Sequence, residues 1–303
     1  MDDDKNTENF LQTIEKIENI NYIKKIQVNE LKLMNKIGEG GQAKVYMGMY
    51  ENNKVAVKLM KNIDYKCFAH ELVILAFLNH VNIPKFYGIV REKNLISLVF
   101  EFIEGKTLDQ YKVTDFTKEQ KYHMIYELAS SLEYIHSQKF IHRDLKPENI
   151  MLGKDGHIYL IDFSIAKVLT NSEFTLTRTK GTLNYLAPEC LEPTEISEDQ
   201  QIISKVTAKV DVWAFGCIVS WLFSGLVPWS DKYTNLPAIM YQVLYKKVPF
   251  SIPKNIEDNN ICKVIQMSTE IDVGKRSSMT EIKKFLEEKN SEINMNKGGD
   301  NNA

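Results

Sequence analysis

The chain has 303 residues, 44% of them hydrophobic, enough to bury a substantial core as one large domain or two lobes. Lys and Arg number 38 against 40 Asp and Glu, a formal net charge of −2, so no global field favours nucleic acid or an anionic membrane surface. The four cysteines, Cys67, Cys190, Cys217 and Cys262, are scattered without CxxC spacing, which argues against zinc and disulfides and suits free thiols in a reducing cytosol.

The chain opens Met1-Asp2-Asp3-Asp4-Lys5, acidic where a secretory leader is basic, and no apolar run approaches the roughly 18 residues of a membrane span. Asp2 does not accept a myristoyl group and Asn301-Asn302-Ala303 offers no prenylation cysteine, so a cytoplasmic protein with no direct membrane anchor is expected. Residues 8 to about 28 carry Leu11, Ile14, Ile17, Ile20, Ile23 and Ile26, a spacing that predicts an amphipathic helix in an N-terminal flank, residues 1–27, packed on the domain. From Leu31 the pattern is strand: Leu31, Leu33 and Ile37 lead into Gly38-Glu39-Gly40-Gly41-Gln42-Ala43-Lys44-Val45, and Tyr46 to Met49 continue it. Glycines at 38 and 40 leave the backbone open to close approach, with no Cβ in the way. Val55-Ala56-Val57-Lys58 is a short apolar strand ending in a lysine, a charge that needs an anionic partner if buried. Residues 65 to 80 read as a helix on Phe68, Leu72, Leu75, Ala76 and Leu78, with Glu71 inside it, and Leu98 to Gly105 begin as a strand. Lys118 to Ser137 carry a core stripe of Met124, Ile125, Leu128, Ala129, Leu132 and Ile135 at helical spacing.

The densest chemistry follows. His142-Arg143-Asp144-Leu145-Lys146-Pro147-Glu148-Asn149 precedes Ile150-Met151-Leu152, the turn Gly153-Lys154-Asp155-Gly156, and Ile158 to Ile161, which together predict a β-hairpin. Closing that hairpin brings Asn149 and Asp162 side by side, two oxygen ligands of the kind Mg²⁺ takes. Thr170 to Lys180 is polar and holds Ser172, Thr175, Thr177 and Thr179; Gly181-Thr182-Leu183-Asn184-Tyr185-Leu186-Ala187-Pro188-Glu189 closes the segment. After a polar, acidic loop over 192–209, Asp211-Val212-Trp213-Ala214-Phe215-Gly216 opens an apolar helix, Ala238 to Leu286 read as further helices, and residues 290–303 form a polar tail expected to be disordered.

The string from His142 to Asn149 with Asp162-Phe163-Ser164 resembles the catalytic loop and metal-binding triplet of eukaryotic protein kinases, and the other motifs appear in that family's order over roughly residues 28–289. The resemblance implies an α+β, bilobal fold: a small β-rich N-lobe, residues 28–101, with one main helix, and a larger, mostly helical C-lobe, residues 105–289. It implies ATP and Mg²⁺ as cofactors. Lys58, paired with Glu71, would orient the α- and β-phosphates, Asn149 and Asp162 would hold the metal, Asp144 would take the acceptor's proton, and Lys146 would neutralise the transferred group. Ile37, Gly38, Glu39, Gly40, Gly41, Gln42, Ala43 and Val45, with Ala56, Glu101 and Phe102, would surround the nucleotide, and Phe100 would guard the rear of the pocket. Asp211 would brace the catalytic loop and Arg276 would pair with Glu189. Lys146 with Thr182 points to Ser/Thr acceptors on protein substrates, and the stretches Leu31 to Tyr46 and Lys205 to Gly216 resemble the tyrosine-kinase-like group. Arg143 would meet a phosphate placed on Thr175, Thr177 or Thr179 by an upstream kinase or by autophosphorylation. Ala43 and Ser164 stand where the family has glycine; these two departures alone favour the rival reading, a pseudokinase acting as an ATP-binding signalling scaffold. A small-molecule kinase would have no use for Gly181 to Glu189.

Overall fold

The computed structural model describes residues 23–299 apart from 42, 62–64, 93–94, 164–166, 169–181, 192–194, 197–201, 204–205, 231–235, 245 and 247. The chain divides into two units, the α+β, two-lobed organisation expected: residues up to Gly105 belong to the first together with Gly153–Val168, and Lys106–Leu152 belong to the second with the described residues beyond Val168.

The first unit is built on a six-stranded sheet in the order β1-β5-β6-β4-β3-β2. Its strands are Lys25–Ile26 (β1), Leu31–Glu39 (β2), Ala43–Tyr50 (β3), Asn53–Met60 (β4), Phe86–Glu92 (β5) and Leu95–Glu101 (β6). All neighbours run antiparallel except β1, which lies parallel to β5. Along β4, Val55 and Val57 are buried while Ala56 and Lys58 point to the other face, the two-residue alternation of a pleated strand. The buried face gathers Ile26, Tyr50, Val55, Val57, Val90 and Val99 into one apolar cluster. Among its described residues one α-helix, Tyr65–Phe77 (α1), buries Phe68, Leu72, Ile74 and Leu75; it ends three residues short of the expected limit, and Ile83 donates to the His80 carbonyl in the turn that follows.

Of the helix expected over 8 to about 28, residues up to 22 lie outside the described residues. From Ile23 on, the chain is extended, pairs as β1, and makes one 3₁₀ turn at Val28–Glu30. Isoleucines three apart drift around a helix and form no stable stripe, whereas β-branched Ile23 and Ile26 bury well against a sheet.

The second unit is helical. Lys118–Ser137 (α2) starts at Thr117, whose hydroxyl accepts from Gln120 N–H while the Gln120 side chain accepts from Thr117 N–H, a reciprocal capping box. A single turn, Pro188–Leu191 (α3), precedes the central helix Lys209–Ser224 (α4), in which every residue from Val210 to Leu222 is buried. Gly225, at φ 76°, ends α4 in the left-handed conformation, its N–H returning to the Trp221 carbonyl. Leu236–Leu244 (α5) and Asn259–Ser268 (α6) follow; α6 is capped by Asp258, which accepts from Asn260 and Ile261 N–H. The last helix, Met279–Gly299 (α7), buries Met279, Ile282 and Leu286 and runs on through the stretch expected to fray. Lys283 holds Glu133 of α2 at 2.8 Å. Cys190 and Cys217 are buried free thiols, and burial pushes the Cys190 thiol up to about 12, which keeps it unreactive. Among the described residues no helix is long and apolar enough to cross a membrane.

Candidate active site

In the first unit, β4 places Lys58 and α1 places Glu71. Lys58 Nζ donates to Glu71 Oε1 at 3.1 Å and to Asp162 Oδ1 at 3.0 Å. Glu71 is buried, and the Asp162 side chain is the most exposed of the three at 39%. Burial works against the Lys58 charge, but the carboxylates of Asp162 and Glu71 outweigh it and drive the ammonium pKa upward. Burial also pushes the Glu71 carboxyl up, with Asp162 adding to the push and Lys58 opposing it. Asp162 holds φ 64°, a left-handed conformation that costs a non-glycine residue and is kept only where the surroundings impose it. The neighbouring Phe163 is buried and anchors the turn.

Gly38 lies near the end of β2, and the β2–β3 turn carries Gly40 and Gly41. Gly40 N–H donates to the Ala43 carbonyl at 2.9 Å. A Cβ on Gly40 or Gly41 would touch nothing, and one on Gly38 would come only within 3.8 Å of Val45, so packing inside the protein does not demand these glycines. Ile37 is exposed on β2, Ala43 is buried, Val45 is partly covered and lies opposite Lys58 across the strands, and Ala56 lies opposite Phe100. At the end of β6, Glu101 N–H is committed to the Lys85 carbonyl at 2.8 Å. Gln42 and Ser164 lie outside the described residues.

In the second unit the loop after Ile141 is fixed from beneath by Asp211 of α4. Asp211 Oδ2 accepts from His142 N–H and Oδ1 from Arg143 N–H, both at 2.8 Å, and His136 Nε2 lies 2.9 Å from Oδ2. Arg143 is held at φ 72°. Burial alone would raise the Asp211 carboxyl; the hydrogen bond and charge of His136, with the loop amides, prevail and lower it. Asp144 Oδ2 accepts from Lys146 Nζ at 2.8 Å and Asn149 Nδ2 at 3.0 Å, while its other oxygen, Oδ1, is buried with no hydrogen-bond partner. Asn149 Nδ2 is also bonded to the Asp144 carbonyl at 2.7 Å, which leaves its own oxygen as the atom it can offer a cation. Arg276, fully buried, grips Glu189 through two bonds of 2.6 and 3.0 Å and stacks 5.0 Å above the Trp213 ring.

The chain matches the protein kinase domain model over residues 31–286. It belongs to the protein kinase family. It is 28% identical over 257 residues to the SNF1-related protein kinase catalytic subunit alpha KIN12 of Arabidopsis thaliana, covering 82% of this chain and 49% of that one. It is 31% identical over 242 residues to the serine/threonine-protein kinase SSK22 of Saccharomyces cerevisiae, covering 70% of this chain and 17% of that one. The maternal embryonic leucine zipper kinase of Xenopus tropicalis is 29% identical over 255 residues, 80% of this chain and 36% of its own. The chain thus spans less than half the length of each of these relatives.

Within this chain, Lys58, Glu71 and Asp162 converge in the first unit, and Asp144, Lys146 and Asn149 converge in the second. Thr175, Thr177 and Thr179, like Gly181, lie outside the described residues. His136 was missed by motif reading. It sits in the last turn of α2, and only its spacing from His142 and the histidine–carboxylate affinity with Asp211 could have drawn notice.

Proposed function

We propose that this chain is a Ser/Thr protein kinase that moves the γ-phosphate of ATP to protein hydroxyls with Mg²⁺. The observation that carries the reading is the asymmetry of Asp144: Lys146 and Asn149 hold one oxygen, and the other is buried and unpaired, as a proton acceptor awaiting a hydroxyl must be. The residue types fit the metal, since the Asp162 carboxylate and the amide oxygen of Asn149 are hard ligands. Bound Mg²⁺ would supply charge neutralisation on the phosphates. Lys58, kept charged and aimed by Glu71, would orient the α- and β-phosphates, and the Gly38, Gly40 and Gly41 backbone would close on them without steric cost. Asp144 Oδ1 would take the proton of the attacking Ser or Thr hydroxyl, and Lys146 would balance charge on the transferred group. Asp211 and His136 act on that step only by fixing the loop.

Protein substrates are what the family supports, and Ser/Thr acceptors are supported by Lys146 with Thr182 and by the likeness to a yeast serine/threonine-protein kinase. Phosphate on Thr175, Thr177 or Thr179, from this kinase or one upstream, would add charge for Arg143 to meet. The test is transfer of labelled phosphate from ATP to the protein itself and to a generic basic substrate, with Asp144→Asn beside it. Transfer falling about 10²–10⁴-fold in the variant is expected. Transfer no greater than in the variant would overturn the reading and leave the nucleotide-binding scaffold, and mapping the product would name the acceptor.

A further inference from the structure

The described residues just before the matched domain, Ile23 to Glu30, are seated on the first unit in a way that a mere leader does not require. Gly88 of β5 holds φ 147°, and a Cβ there would lie 2.1 Å from the Lys24 carbonyl oxygen, so the receiving strand is cleared at the point where a second backbone passes. Ile89 N–H donates to that same carbonyl at 3.0 Å, and the segment continues in parallel register with Lys25 beside Ile89 and Ile26 beside Val90. Ile23 and Ile26 are buried, Ile26 within the cluster of Tyr50, Val55, Val57 and Val99. Lys24 between them reaches Glu51 at 2.7 Å and lies 5.0 Å over the Tyr50 ring. Glu30 then closes the segment, its carboxylate accepting from Gln27 N–H at 2.7 Å.

We infer that the edge of β5 is a strand-binding groove which reads an apolar-Lys-x-apolar segment and which residues 23–26 fill in cis. Each requirement of strand addition is on hand: a sheet edge that supplies backbone bonds, a buried seat for each flanking isoleucine, and a carboxylate that meets the lysine. The seated strand is two residues long and lies at the margin of the sheet, so it exchanges more readily than any strand beside it. Its seat bears on Lys58 through β4, because Ile26 packs on Val55 and Val57 from the face opposite the lysine. Only that last link rests on the kinase reading; the groove does not.

The experiment uses the full chain carrying Ile26→Asp, with a synthetic peptide of residues 21–30 supplied in trans. Hydrogen exchange at the Ile89 amide is expected to quicken by more than about tenfold in the variant. The wild-type peptide is expected to slow it again saturably and to lower the raised KM for ATP, and the same peptide with Ile26→Asp to do neither. An Ile89 amide as protected in the variant as in the wild type, or one that millimolar peptide leaves fast, overturns the groove. Should Ile26→Asp not fold, exposed Lys24 decides. Lys24→Glu should quicken Ile89 exchange about two- to fivefold, and adding Glu51→Lys should restore it; no change in the single variant, or no rescue in the double, overturns the groove. Absence of phosphate transfer throughout would sink the kinase reading while leaving the exchange results to judge the groove.

Discussion

Asp211 is a carboxylate out of reach of water whose charge is carried by two loop amides and a histidine. Its carboxyl is lowered below the ordinary 3.8, so the unfolded chain binds the proton more readily than the folded one. The stability it contributes is therefore complete above that ordinary value and is lost as pH falls through the lower folded value. Urea unfolding of Asp211→Asn should show a shallower decline at the acid end than the wild type. Asp211→Ala, which strips the partner from His136 and from both amides, should cost about 3–5 kcal/mol at neutral pH and slow phosphate transfer by loosening Asp144. The clustering of Asp144, Lys146 and Asn149 was legible because they stand within six residues of one another in a recognisable motif. The role of His136 was not, since it depends on a distance to Asp211 that closes only when α2 and α4 pack, and the bare oxygen of Asp144 was not, since side-chain burial cannot be read from spacing.

At the scale of the element, legibility followed the local signals. α2 announces itself by Thr117 and Gln120 at one end and by an unbroken apolar stripe, so its limits agree with the sequence to the residue. β1 carries no such signal: two residues cannot display a period, and what makes them a strand is the open edge of β5, a feature remote in sequence. The contact of α4 with α6 belongs to the same class. Gly216 reads as one more small residue in an apolar helix, yet a Cβ there would sit 2.5 Å from the Ser268 Cβ and 2.7 Å from Thr269 Cγ2. Gly216→Ala gains helix propensity but must push α6 aside. A net loss of about 1–3 kcal/mol is expected, seen as a lower Tm with phosphate transfer at moderate temperature intact.

Across the whole molecule, segments far apart in sequence are joined by a few costly polar contacts. Arg276 ties Glu189 by two bonds, the Lys209 carbonyl by a third and the Glu270 carbonyl by a fourth, all inside the second unit. A lysine has one point charge to offer in place of that planar fork, so Arg276→Lys should destabilise by about 3–5 kcal/mol despite its conserved charge, and Glu189→Gln with Arg276→Met should recover part of the loss because no charge is then stranded.

Ligand linkage reaches the molecule as a whole through the first unit. Lys58 currently spends its charge on Glu71 and Asp162 together, so a nucleotide drawing on Lys58 and a metal drawing on Asp162 would relieve the same crowded trio. Because ligand that binds only the folded state stabilises it by RT ln(1 + [L]/Kd), a non-hydrolysable ATP analogue with Mg²⁺ at a hundred times its Kd should add about 2.7 kcal/mol, a rise in Tm of roughly 4 °C for a chain of this length. Chelating the metal should remove most of that rise in the wild type. In Asp162→Asn the analogue should give a smaller shift that chelation barely alters, since the carboxylate through which the ion acts is gone. Equal shifts in both proteins, with equal sensitivity to chelation, would mean that the ion is held elsewhere and that Asp162 serves only as a partner of Lys58.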